Sequence, residues 1–138
     1  MIELDRLNEM AAPTLTGYVG AEFTHAEPGL IRGRLEVKPE LLAANGYLHA
    51  GTVVALADSC CGFGTVVTLA EGDRDPGRWT TVELKSNFLG TALEGWIECE
   101  ARMAHGGRST QVWDATVTAA ATEKTIALFR CTQLILAP

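Results

Sequence analysis

The residues best suited to chemistry lie in Asn45-Gly46-Tyr47-Leu48-His49-Ala50-Gly51 and, a little further on, Leu56-Ala57-Asp58. A glycine-containing turn here feeds a helix, and the first N–H groups of a helix have no intrahelical acceptor. With the helix dipole, those groups suit a developing negative oxygen. Ala50 or Gly51 could present such an N–H, since their small side chains let a carbonyl approach the backbone. Asp58 falls two turns later, in an apolar run that raises the proton affinity of a carboxyl group. Oxyanion donors together with a base or nucleophile are the parts of an acyl-transfer site.

Spacing adds a constraint. Eight positions separate Ala50 from Asp58, roughly 12 Å along one helix at about 1.5 Å per residue. A reacting carbonyl has to sit about 3 Å from both the hole donor and the catalytic group. One chain therefore cannot easily serve one carbonyl with both. Two helices running antiparallel across a dimer interface could, which makes a shared site the expectation.

The elements that must hold these residues follow from hydrophobic periodicity. Residues 2–11 suit a short amphipathic helix ended by Pro13, and residues 18–26 read as a strand. Residues 30–38 alternate cleanly, with Ile31, Leu35 and Val37 opposite Arg32, Arg34, Glu36 and Lys38. A loop over 41–48 leads into an apolar helix from about Ala50, and the polar stretch 71–78 ends that helix region. Four alternating segments follow, over 81–88, 96–103, 109–119 and 125–136. In the first of them Val82, Leu84 and Phe88 stand opposite Thr81, Glu83, Lys85 and Asn87. The order predicts one α+β domain over 1–138, a curved antiparallel sheet wrapped around a buried helix.

Composition narrows the class. Eleven Lys+Arg against seventeen Asp+Glu leave a net charge of −6, which disfavours nucleic acid or an anionic membrane as partner. Hydrophobic residues at 47% make the chain too apolar for disorder and point to surface hidden in an oligomer. Residues 51–70 approach the length of a membrane span, but a central Asp58 costs about 2.5–3.5 kcal/mol there, and a core helix is the better reading. Cys60, Cys61, Cys99 and Cys131 show no metal-binding spacing and read as buried free thiols, hence a cytoplasmic location. The acidic N-terminus does not look like an export signal.

The segment from Gly46 to Gly51 followed by Leu56-Ala57-Asp58 resembles the G-x-x-H-G-G-x-x-x-x-L-x-D/E signature of hotdog-fold acyl-CoA thioesterases of the phenylacetate-degradation (PaaI-like) group. The run from Thr81 to Leu89 looks like the strand after the helix in that family, and the turn at Gly107-Arg108 and the run from Ala127 to Arg130 also fit. The resemblance implies a homodimer or homotetramer with shared sites that hydrolyses acyl-CoA without metal or other cofactor. It makes Asp58 the nucleophile or general base, lets the Ala50 N–H polarise the carbonyl, and gives Thr81 a part in placing water. Asn45, Gly46, His49 and Gly51 would shape the turn and substrate contacts. Two positions depart from the pattern: Ala50 stands where the first glycine is usual, and Ala43 falls where the family has Asn or Gln.

Coenzyme A carries phosphates, and Arg108 beside Gly106-Gly107 offers backbone N–H groups and a guanidinium fork for them. Arg130, Lys85 and Arg78 are further candidates for those phosphates, each also readable as a solvated surface charge. His49 reads as a cap residue or, alternatively, as a proton-transfer group. The second use would suit a hotdog hydratase or dehydratase. A non-catalytic acyl-CoA or small-ligand binding module is the alternative of another class.

Overall fold

The period-two segments become strands and the apolar run becomes one long helix. The computed structural model describes residues 1–136. Helices α1 (Leu4–Ala11) and α2 (Leu15–Tyr18) precede strands β1 (Glu22–Glu27) and β2 (Leu30–Glu36). A 3₁₀ turn (Pro39–Leu41) leads to helix α3 (Ala50–Glu71), and β3 (Trp79–Phe88), β4 (Trp96–Gly106), β5 (Thr110–Ala119) and β6 (Thr125–Ile135) complete the chain. All six strands pair antiparallel in the order β1-β2-β4-β5-β6-β3. The curved sheet cradles α3, an α+β architecture of the expected kind.

Two expectations need correction. Residues 18–26 are not one strand: the short α2 and a turn with Gly20 at φ +81° come first, and β1 starts only at Glu22. The helix is held to the core by Thr16, which turns inward and whose hydroxyl meets that of Ser59 on α3 at 2.8 Å. The second concerns β3. Its pairing with β6 slips between Thr81 and Glu83, leaving Val82 as an extra, unpaired residue. A bulge of this kind re-aims side chains because strand parity changes across it. Thr81 pairs with the buried Gln133 and Leu84 with the buried Cys131, so Thr81 shares the α3-facing side with Leu84. Alternation alone had set them on opposite faces.

The core lies between α3 and the inner side of the sheet. Leu56, Ala57, Cys60, Cys61 and Val67 of α3 are fully buried against Ile31, Leu35, Ile97, Trp113 and Val117. By length and composition α3 could cross a bilayer, but here most of that apolar stretch is buried inside the protein. The four cysteines are buried free thiols, as expected. Close helix–sheet approach depends on missing side chains. A Cβ on Gly64 would stand 2.5 Å from Cη2 of Trp113, and one on Gly62 would stand 2.7 Å from Cη2 of Trp79. Trp113 is fully buried and cannot yield. Gly64→Ala is therefore expected to destabilise the fold by about 1–3 kcal/mol, the usual range for overpacking, which urea denaturation would measure. An unchanged midpoint would show that the helix can lift away from the sheet at little cost.

Strand β3 closes one side of the sheet as a ten-residue edge. Leu84 and Phe88 stay 43% and 47% exposed although they face the helix side. A long edge with open apolar positions is a ready surface for strand pairing.

Candidate active site

The turn before α3 is built by its own hydrogen bonds. The Ala43 N–H donates to the Tyr47 carbonyl at 2.7 Å, and Gly46 at φ +89° makes the left-handed corner. Asn45 Oδ1 accepts the Tyr47 N–H at 3.3 Å, so this exposed side chain braces the loop. Beyond the turn, the Leu48 N–H is held by the Thr91 hydroxyl at 3.0 Å.

His49 is the N-cap of α3, with extended backbone at φ −65° and ψ 133°. Its Nδ1 accepts the Gly51 N–H at 2.7 Å, which fixes the ring with any remaining proton on Nε2. Its carbonyl takes the N–H groups of Thr52 and Val53. Every early N–H of the helix is thus occupied except that of Ala50, which has no acceptor among the described residues. Sequence left Ala50 and Gly51 as alternatives; the cap assigns Gly51 a structural partner and leaves Ala50 as the open donor. A cleft of about 360 Å³ opens directly beside it, lined by Tyr47, Leu48, Val53, Phe88 and Thr91 among others. Its walls are mainly apolar.

Asp58 sits two turns along α3, partly buried. Burial pushes its carboxyl above the ordinary range, and the Thr81 hydroxyl, 3.3 Å from Oδ1, acts against that shift. No ion pair involves Asp58 among the described residues. Thr81 also reaches Oε1 of Gln133 at 2.7 Å. Asp58, Thr81 and Gln133 thereby form one polar chain from helix to β3 to β6. Gln133 was missed from sequence. The signal was present, since it interrupts the inward-facing series Ala127, Phe129, Cys131 and Ile135 with a polar group.

The remaining candidates divide. Ala50 and Asp58 stand on the same helix, so one chain brings them no closer than their spacing allows. Gly107 closes the β4–β5 turn through its N–H to the Thr110 carbonyl at 2.8 Å. The neighbouring Arg108 is exposed, and its carbonyl accepts from Arg74, just past the end of α3, at 2.7 Å. Those two arginines therefore lie at the helix end away from Ala50. Arg130 is on the outer face of the sheet, engaged by both oxygens of Asp114 at 2.6 and 2.8 Å. That placement separates it from α3 and from the other candidates. A larger cleft of about 550 Å³ also opens on the outer face, over Arg32, Arg34 and Glu100. Its arginines are engaged by carboxylates, Arg32 by Glu100 and Arg34 by Glu22, and it lies across the sheet from Asp58. No cluster of metal-ligating side chains occurs among the described residues.

Comparison with known proteins gives the family and the fold. Residues 45–126 match the thioesterase superfamily. A 1,4-dihydroxy-2-naphthoyl-CoA hydrolase from Listeria monocytogenes is 32% identical over 83% of this chain and 89% of its own length. A proofreading thioesterase from Klebsiella pneumoniae is 27% identical over 84% of this chain and 82% of its own. The crystal structure of a thioesterase from Haemophilus influenzae superposes with a TM-score of 0.88 over 99% of this chain and 92% of that one, at 21% identity, which speaks for the shared fold alone. The match takes in the turn, all of α3 and the polar chain as far as Thr81, and the protein is a thioester hydrolase: the chain belongs to the thioesterase superfamily, in its hotdog fold.

Proposed function

We propose that the protein hydrolyses acyl- or aryl-CoA to the free acid and CoA, with Asp58 as general base and the Ala50 N–H of a neighbouring subunit as oxyanion donor. The observation that carries this reading is a partly buried carboxylate without a cationic partner among the described residues, on a helix whose first N–H is open beside an apolar cleft. Raised proton affinity suits a base that works near neutral pH. A water oxygen attacks the thioester carbonyl while Asp58 takes a proton from it. The carbonyl oxygen gathers negative charge and accepts the Ala50 N–H. As the C–S bond breaks, the carbonyl re-forms and Asp58 returns the proton to the CoA sulfur.

The roughly 12 Å between the two groups on one helix calls for a second copy. In support, the less buried positions of α3, Gly51, Val54, Ala55 and Asp58, follow one another along one side of it. The β3 edge beside that side is apolar and open. A homodimer would join both surfaces, and pairing of dimers into a tetramer is compatible with it. The acyl group would enter the cleft at Tyr47 and Phe88, and Arg108 with Arg74 would meet the CoA phosphates. Free buried thiols fit a reducing cytoplasmic setting.

Incubation with a panel of aryl-, short- and medium-chain acyl-CoAs, including an enoyl-CoA, and a thiol-reactive dye tests the reading. Thiol release with at least one member of the panel is expected. Hydration of the enoyl-CoA without thiol release would make the protein a hydratase, and saturable binding without either reaction would make it a binding module. The geometry favours hydrolysis over the hydratase reading because Nδ1 of His49 is committed to the helix cap.

A further inference from the structure

We infer that Gln133 is a positioning residue: its buried amide sets the direction of the Thr81 hydroxyl and, through it, keeps Asp58 ready to accept a proton. The inference rests on the reading of Asp58 as the base. Thr81 has one hydroxyl hydrogen and two acceptors within reach, Asp58 Oδ1 at 3.3 Å and Gln133 Oε1 at 2.7 Å. With the amide oxygen turned toward Thr81, the hydrogen goes to Gln133 and the carboxylate receives nothing. In that arrangement the amide nitrogen has only the Cys131 sulfur, 3.6 Å away. Gln133 is fully buried, so water does not complete its bonds at the surface.

Rotation of the amide by about 180° about its last torsion, which is soft in glutamine, reverses the chain. The nitrogen then donates to Thr81 Oγ1, the hydroxyl hydrogen passes to Asp58, and the amide oxygen faces the Cys131 thiol as an acceptor. The first arrangement suits a protonated Asp58, whose own O–H donates to Thr81. The second suits the ionised form. The amide thus follows the proton that Asp58 gains and returns during turnover. Gln111, the cross-strand neighbour of Gln133, shows the contrast. Its Oε1 accepts the indole N–H of Trp113 at 2.9 Å. An indole can only donate, which locks that amide. Thr81 can donate or accept, so Gln133 is free to turn.

Charge does not compete with this control. From the sheet, the titratable groups turned toward α3 are the thiols of Cys99 and Cys131, and α3 adds its own Cys60 and Cys61. The charged side chains of β2, β4 and β5, with Glu83, Lys85 and Arg130, stand on the outer face, as do those of β1. Helix α2 contributes only the exposed Tyr18.

A double-mutant cycle tests the inference in the intact protein. Gln133→Met keeps the side-chain length and removes donor and acceptor; it should lower kcat about 10-fold with KM little changed, the scale of one hydrogen bond to a charged group. In a Thr81→Val background the same change should cost less than about 2-fold, because the pathway is already cut. Equal losses in both backgrounds would overturn the role of Gln133. Should Gln133→Met not fold, the isosteric Gln133→Glu keeps the question open to measurement. Its protonated form can still donate, whereas its ionised form only accepts, so kcat relative to the unaltered protein should fall as pH rises. A pH-independent ratio would overturn the inference. Asp58→Asn in the same assay separates the two readings: near-normal turnover would remove the base itself, while its loss alongside an additive cycle would remove only Gln133.

Discussion

With Asp58 replaced by Asn, kcat for thioester hydrolysis falls by about 10²–10⁴-fold, the range a positioned general base supplies, while the folded protein becomes more stable at neutral pH. Both effects have one origin. The carboxylate is held in a partly buried place that disfavours its charge, with one hydroxyl against it and no cation among the described residues. The sign follows from linkage. The folded group binds its proton more tightly than the unfolded one, so below the unfolded value, about 3.9, both states are protonated and burial carries no charge penalty. As pH rises through the window up to the folded value, the folded state pays progressively for ionisation and stability declines. An asparagine has no such penalty. Urea denaturation should therefore show Asp58→Asn ahead of the unaltered protein at pH 7 and the gap shrinking as pH falls toward about 4. Thiol-release kinetics check the other half. Turnover within a fewfold of normal would remove Asp58 from the chemistry, and a stability gap that ignores pH would deny that its charge is the cause.

Ala50→Pro should lower kcat by about 10²–10³-fold, the cost of deleting one oxyanion donor, with the fold retained. A backbone N–H is seldom accessible to mutation, but this one is. Ala50 is the first helical residue after the His49 cap, the position where proline is favoured and where no helical bond is lost. His49 already has the extended backbone that a residue before proline requires. The exchange thus removes the donor and adds a ring next to the cleft. Ala50→Gly is the control: it keeps the N–H, relieves the cleft of a methyl group, and should retain turnover. Loss of kcat in the proline variant with normal thermal unfolding supports the donor. A rise in KM at constant kcat would instead point to crowding of the cleft, and the oxyanion role would fall.

Much of this was legible in the residues. Strict alternation in β2, β4 and β5 gave their faces, because each is covered on one side by α3 and open on the other. The long apolar run was readable as a core helix because a central Asp58 suits a bilayer poorly. Asp58 and Ala50 stood out by type and spacing. The cap role of His49 was readable; which of Ala50 and Gly51 kept a free N–H was not, since that depends on the His49 ring turning onto Gly51. Nor could sequence show that Arg130 is spent on Asp114, a partner sixteen positions away on the next strand. The face of Thr81 was misjudged for a physical reason: a bulge without glycine or proline leaves no mark on a period-two pattern.

That bulge makes the site a matter of parity. Trp79 and Thr81 before Val82, and Leu84, Ser86 and Phe88 after it, all look toward α3 only because an odd residue is counted between them. The strand can keep both groups inward at one length and not at a length one shorter or longer. A single residue of β3 thus decides whether the threonine meets the carboxylate or the solvent.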